Sequence, residues 1–415
     1  MDKTTFTNLF APFDRSGGPA KYQSLRQSAR ARFQTLPLPS ARNEDWKFTS
    51  VAPILDTAFD LPSTPPSIDA KSLPALPTPD TLRLVFINGR FAKSLSTPIP
   101  ADLRIGSLAD EKADAASLSA FAGDKDNVFM ALNTSFLSDG AYVVVPAGKV
   151  IEQPIEIIYF SQPVGKPIVT NPRTLIVVGG NAQVTVIERY LGSGAYFTNA
   201  VTEIAVAEHA VVDHVKLQQE GLQAYHLANT QIVQAGRSNF TTHYVSLGGA
   251  LVRNEVRVRF DGEHSEATVN GLYLASGKQH IDNFTVIDHA KPNCASHEMY
   301  KGILDGHAHG VFNGKIFVRK DAQKTDAKQT NKVLLLSNDA TIDTKPQLEI
   351  FADDVKCTHG ATIGQLDATQ LFYLQSRGIP LESARQLLTF AFANDIVNRI
   401  KIEAIREGLE ARIVK

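Results

Sequence analysis

The chain has 415 residues, 43% hydrophobic and 20% charged, with 42 basic against 43 acidic side chains and a formal net charge of −1. Such a chain is globular, long enough for two or three domains of ~100–200 residues, and carries no global field to recruit nucleic acid or an acidic membrane. No apolar run approaches the ~18 residues of a membrane span, the opening MDKTTFTNLFAPF lacks a secretory pattern, and two cysteines cannot build a disulfide framework, so the expected setting is the cytoplasm.

Residues 20–36 combine good helix formers with basic residues on one side and predict a helix. Prolines crowd the N-terminal quarter: 13 of 21 precede residue 101, and Pro62, Pro65, Pro66, Pro74, Pro77 and Pro79 fall in one stretch. Proline fixes φ and lacks an N–H, so residues 62–80 read as a stiff linker or surface wrap. Next, LRLVFINGRF carries Asn88-Gly89 between apolar runs, the strongest short hairpin signal. A further helix is predicted at about 125–137, with Gly140 available to end it.

From Ala141 to about residue 363 the chain turns to short β-rich runs, among them AYVVVP, TLIVVGG, NEVRVRF, GKIFV and QLEIF. Period-two alternation is plain in Glu255-Val256-Arg257-Val258-Arg259-Phe260, and no helix-length amphipathic segment intervenes, which argues against βαβ units. A loose repeat starts near Val145, Val178, Val206, Val233, Phe260, Leu304 and Leu336, at gaps of 33, 28, 27, 27, 44 and 32. Each gap holds one coil of a β-solenoid, and stacked coils bury an interior that one coil alone could not. Turn-rich sandwiches and barrels imitate such a repeat, so both architectures stay open on the pattern alone.

The chain then returns to helix. Asp367 is a candidate N-cap with Gln370 at capping-box spacing, Arg377-Gly378 can close that helix, and Pro380 can open the next. Apolar Ala384, Leu387, Leu388, Ala391 and Phe392, then Ile396, Val397, Ile400, Ala404 and Ile405, recur at helical spacing. These helices could close the end of the β region or offer a groove to a partner.

No P-loop, dinucleotide fingerprint, nucleophile elbow or H-E-x-x-H signature occurs. All eleven histidines lie between His209 and His359. His209, His214, His226, His243, His264, His280, His289 and His297 are scattered singly and read as structural or surface residues. His307 and His309 form H-x-H, which on a strand would put both rings on one face as in a cupin metal site, although Asn313 stands where a cupin would want Glu.

Cys357-Thr358-His359 is the sharper motif. If residues 353–362 form a strand, thiol and imidazole lie ~6.5–7 Å apart on one side, a pair suited to zinc, iron or an iron–sulfur cluster. The pair is only half a coordination shell, and Cys294 would supply at most a third ligand. Either it is inert, as a buried free Cys commonly is, or another chain completes it. Asp353-Asp354 reads as a turn or solvated edge, because neighbours on a strand face opposite ways.

The run KDAQKTDAKQTNKVLLLSNDATIDTKPQLEIFADDVKCTHGATIGQLD resembles the SufB/SufD family of the SUF iron–sulfur assembly machinery, and Asn43-Glu44-Asp45-Trp46-Lys47-Phe48-Thr49 resembles its N-terminal E-D-W-[KR]-[YF]-T signature. The C-x-H-G-A-T run is nearer the SufD branch than the SufB branch. The resemblance implies a mainly β protein: an N-terminal helical region at 1–128 containing the Pro-rich linker, a right-handed parallel β-helix core at 129–365, and a C-terminal helical domain at 366–415. It implies a non-catalytic scaffold subunit that pairs with SufB through the β-helix ends and docks the SufC ATPase through helices at 367–415. A transient iron–sulfur cluster would form at that seam, with His359 the stronger ligand carried over, Cys357 the second, and the rest from SufB. ATP would be hydrolysed only by SufC, whether a reduced flavin binds the complex stays open, and an exposed β-helix end leaves a homodimer open for the isolated chain. Two rivals stand beside this reading: a purely structural subunit that props up a SufB-like partner, and a metal-dependent enzyme centred on His307 and His309.

Overall fold

The computed structural model describes residues 2–16, 18–62, 66–111, 113, 118 and 127–413. Among them, two sheets of ten strands each run side by side, and the chain passes from one to the other coil after coil. The first sheet stacks, in parallel, Leu82–Ile87, Ile155–Ser161, Gln183–Gly192, Val211–Glu220, Asn239–Ser246, Glu266–Ala275, Ala295–Leu304, Asp326–Leu335 and Lys356–Gly364. The second stacks Ala141–Val145, Arg173–Val178, Tyr196–Val206, Tyr225–Gln234, Leu251–Phe260, His280–His289, His309–Val318 and Thr341–Ile350. The architecture is a parallel β-solenoid, mainly β, with helices at both ends of the sequence.

Register gives the true coil length. In the second sheet Val145, Val178, Val206, Gln234, Phe260, His289, Val318 and Ile350 stand in one column. The sequence repeat follows this column, within a residue, as far as Phe260. Its 44-residue step to Leu304 is a coil and a half, and Leu304 belongs to the first sheet, facing Leu335. Both sheets turn similar aliphatic columns inward, so apolar spacing alone does not tell them apart.

Strand pairing starts before Ala141. Asn88 (φ 50°) and Gly89 (φ 79°) make the expected hairpin turn between Leu82–Ile87 and Arg90–Phe91. Leu82–Ile87 then pairs in parallel with Ile155–Ser161. The Pro-rich stretch behaves as a wrap from residue 66 onward: Leu73 is buried against Val85, Ile87 and Ile158, and Ala75 O accepts from Arg83 Nη2 at 3.0 Å. Residues 63–65 lie outside the described residues.

Inside the coils, buried Val, Ile and Phe columns supply the cohesion, each full burial being worth roughly 1.5–3 kcal/mol. Tyrosines face glycines across neighbouring coils. Tyr300 lies over Gly271 and Tyr273 over Gly302, where a Cβ would fall within 2.1 Å and 2.3 Å of the respective rings. The middle coils also bury charge. His214 Nε2 lies 3.0 Å from Glu188 Oε2, and Lys216 Nζ donates to His226 Nε2 at 2.9 Å and Asn254 Oδ1 at 2.8 Å. His226 Nδ1 is in turn 2.7 Å from Glu220 Oε2. Such groups are tolerated in a dry interior because they partner one another, and burial pushes the Lys216 ammonium down to about 7.

Helices cover both outer flanks. The predicted N-terminal helix is a 3-10 turn, Ala20–Tyr22, followed by an α-helix, Gln23–Thr35. Its basic face is not wholly solvated: Arg26 turns inward, and its Nη1 donates to Pro19 O and Leu137 O, each at 3.0 Å. The helix predicted at 125–137 is Val128–Ser135, capped by Asn127 Oδ1, which accepts from Phe129 N and Met130 N; residues 125–126 lie outside the described residues. Phe6, Phe33, Phe59 and Phe129 join Phe197, Leu227 and Leu251 to seal this layer onto the second sheet.

The C-terminal helices are Ala368–Ser376, Leu381–Val397 and Glu403–Ile413. The last two lie along the outer face of the first sheet, where Ala393, Ile396, Val397, Ile400, Ile405 and Leu409 pack on Val215, Leu217, Val245, Leu272 and Ile303. They therefore cover a flank and do not close the solenoid end. The buried stripe also runs differently from the predicted one: Ala384, Thr389 and Ala393 face inward while Leu387 stands 49% exposed. No described helix is long and apolar enough to cross a membrane.

Candidate functional site

The last strand, Lys356–Gly364, has a neighbour on one side only, Asp326–Leu335. It starts three residues later than the predicted strand, because Asp353 and Asp354 form an exposed bend in which Asp354 pairs with Lys324. Cys357 stands opposite Ala327, and His359 opposite Gln329, both buried residues of the coil below. Cys357 and His359 therefore occupy interior positions of a coil on which no further coil sits. Lys356–Gly364 has no strand paired on its far side, where the stack would continue.

The two differ in environment. Cys357 is half-buried against Ile316, Val318, Ala322, Ala327 and Ala352, and this burial pushes its thiol above the ordinary range. His359 is exposed. Beneath it runs a polar column, Glu298 to Gln329 to His359, one residue per coil. Gln329 Nε2 donates to Glu298 Oε2 at 2.7 Å, and burial holds the Glu298 carboxyl up at about 7. Across the interior, Asn331 Nδ2 donates to Thr344 Oγ1 at 2.9 Å. This floor of Glu298, Gln329, Asn331 and Thr344 is not legible in the sequence, because its members come from three strands and only stacking brings them together. The rim around it is apolar, with Ile350, Phe351 and Ile363 at 38%, 58% and 50% exposure.

The other candidates go elsewhere. Cys294 is buried two coils down, just before Ala295–Leu304, with its thiol donating to Gly262 O at 3.3 Å. It does not join Cys357. His307 lies in the turn at Gly306 (φ 63°), ahead of the strand that begins at His309, so the H-x-H pair does not share a strand face. His307 is 3.8 Å from Asp339, whereas His309 meets His280, whose ring lies on the preceding coil. Among the described residues, no group of three or more His, Cys, Asp or Glu is arranged to hold a metal ion. The half-shell at Cys357 and His359 stays half within this chain.

The N-terminal signature docks near the same end. Glu44 pairs with Lys345 of the last coil, the Arg253 guanidinium lies 4.0 Å from the centre of the Trp46 ring, and Thr49 Oγ1 donates to Asp282 Oδ2 at 2.5 Å. A second exposed surface is the helix Ala368–Ser376, where Phe372 and Tyr373 stand 72% and 57% exposed.

The fold is thus a parallel β-solenoid with one uncapped end, flanked by helices from both ends of the chain. Two family models cover it in succession: the SufBD protein N-terminal region over residues 12–157, and the SufBD core domain of SUF system FeS cluster assembly over residues 161–392. The chain belongs to the SufB/SufD family of the SUF iron–sulfur cluster assembly system. Within that family its relatives include the iron–sulfur cluster assembly protein SufD of Escherichia coli, 32% identical over 413 residues that cover 98% of this chain and 94% of the relative. An iron–sulfur cluster assembly SufBD family protein of Synechocystis is 35% identical over 92% of this chain and 88% of its own length. The chloroplastic protein ABCI7 of Arabidopsis thaliana is 32% identical over 93% and 84%.

Proposed function

We propose that this chain is a non-catalytic scaffold subunit of a cytoplasmic SUF complex, and that a SufB-type partner closes its open solenoid end. One observation carries the reading: a thiol and an imidazole occupy interior positions of a coil with nothing stacked on it. In a closed solenoid those positions would be covered by the next coil. Here the partner's end coil takes that place and supplies the remaining ligands to a nascent iron–sulfur cluster, the complex's cargo. A site shared by two chains opens when they part, which suits a scaffold that must give its product up.

His359 is the ligand from this chain, since it is exposed on a coil with nothing stacked on it. The Cys357 thiol is held above its ordinary range by burial, which disfavours the thiolate a cluster needs, and its first role is to pack the rim. The exposed helix Ala368–Ser376, with Phe372 and Tyr373, is the docking face for a SufC-type ATPase, where nucleotide is hydrolysed. The test is co-expression with SufB- and SufC-type partners, followed by ultraviolet–visible spectra of wild-type and His359→Ala complexes. Loss of cluster absorbance from an intact His359→Ala complex supports the scaffold. A full cluster spectrum in that variant instead makes the chain a purely structural prop.

A further inference from the structure

We propose that His280 and His309 form a second metal site, for a first-row divalent ion, on the outer face of the second sheet and separate from the open end. The two residues are register neighbours at the starts of adjacent strands. Their rings stand 4.7 Å apart between centroids, with Nδ1 facing Nδ1 at 3.2 Å.

Proton counting makes that contact informative. His309 Nε2 lies 2.8 Å from Asp343 Oδ2, an acceptor, so His309 carries its proton on Nε2. Thr49 Oγ1 spends its one proton on Asp282 Oδ2, so it accepts from His280 Nε2 at 2.9 Å, and His280 is protonated on Nε2 as well. Both Nδ1 atoms then carry bare lone pairs on the sides that face each other. A cation bound by both, set off the line between them, makes the arrangement favourable.

The separation of the two nitrogens suits a bound metal ion. With metal–nitrogen bonds of 2.0–2.1 Å, two tetrahedral ligands lie about 3.3–3.4 Å apart, close to the observed separation. Each Nε2–H is held by an outer oxygen, the arrangement that orients metal-binding imidazoles. The His309 and Asp343 side chains are 31% and 38% exposed, which leaves an open side where water completes the shell. Two imidazoles suit Zn²⁺, Fe²⁺, Ni²⁺ or Cu²⁺ over Mg²⁺ or Ca²⁺. Because Thr49 belongs to the N-terminal signature, an ion here would also tighten that segment onto the sheet.

The experiment is a calorimetric titration of the chelator-treated full chain with zinc chloride. It uses a Cys357→Ser/His359→Ala background so that the open end contributes nothing. One equivalent should bind, weaken at least ~10-fold in His280→Ala and in His309→Ala, and survive in His307→Ala, which removes a neighbouring exposed imidazole. Thr49→Val should weaken binding while both imidazoles remain, and thermal midpoints of the variants separate ligand loss from misfolding. Absence of a stoichiometric zinc equivalent, or equal affinity in folded His309→Ala, overturns the site.

Discussion

Glu298→Gln should stabilise this protein, by an amount that depends on pH. Glu298 is wholly enclosed in the solenoid interior, two coils beneath His359, and its carboxyl sits at about 7 instead of the ordinary 4.5 because burial disfavours the charged form. Between those two values the folded chain holds a proton that the unfolded chain has released, so stability falls as pH rises through the window. The favourable contribution is complete below 4.5 and gone above about 7. A shift of this size corresponds to about 3 kcal/mol at 1.36 kcal/mol per pK unit. Glutamine has the same shape, bears no charge, and keeps an oxygen to accept from Gln329 Nε2. Paired urea melts at pH 4.5 and pH 8 should therefore show near-equal midpoints at the acid end and a gain of up to about 3 kcal/mol for Glu298→Gln at the basic end. A variant equally shifted at both pH values, or destabilised at pH 8, would refute the reasoning, since Glu298 would then be ionised and well partnered.

Gly271→Ala pushes a methyl group into the Tyr300 ring and should cost about 1–3 kcal/mol in chemical denaturation, partly recovered by adding Tyr300→Leu. Asp367→Ala removes the acceptor for Thr369 N and Gln370 N at 2.8 and 2.9 Å; hydrogen exchange in residues 368–376 should speed up by about 1 kcal/mol while the global midpoint holds. Phe372→Ser with Tyr373→Ser should leave the midpoint within about 0.5 kcal/mol, because both rings are in water, yet abolish co-purification with a SufC-type ATPase.

Local chemistry in the sequence reads well against this structure. Asn88-Gly89 makes its hairpin, Asp367 caps its helix, and Gly378 takes the left-handed φ of 84° that ends that helix. Stacking was legible as a repeat, but the phase slipped after Phe260 because the two sheets turn similar aliphatic columns inward. What stayed hidden depends on register. Glu298, Gln329 and His359 form one column, and His280 and His309 one pair, only once the coils are stacked. Glu188, Lys216 and Glu220 have a charge pattern like that of a solvated strand edge, although all three are interior. The H-x-H pair does not share a strand face because His307 lies in the turn with Gly306 and the strand begins only at His309.

The central claim is that His359, at the uncovered end of the solenoid, is a ligand to a cluster that a second subunit completes. Its most direct test is pulsed electron paramagnetic resonance on the reduced cluster of the assembled complex, with this chain alone carrying ¹⁵N-histidine. The expected result is a ¹⁵N hyperfine coupling that disappears in His359→Ala. A cluster signal with no nitrogen coupling from this chain, or one that persists in His359→Ala, would contradict it.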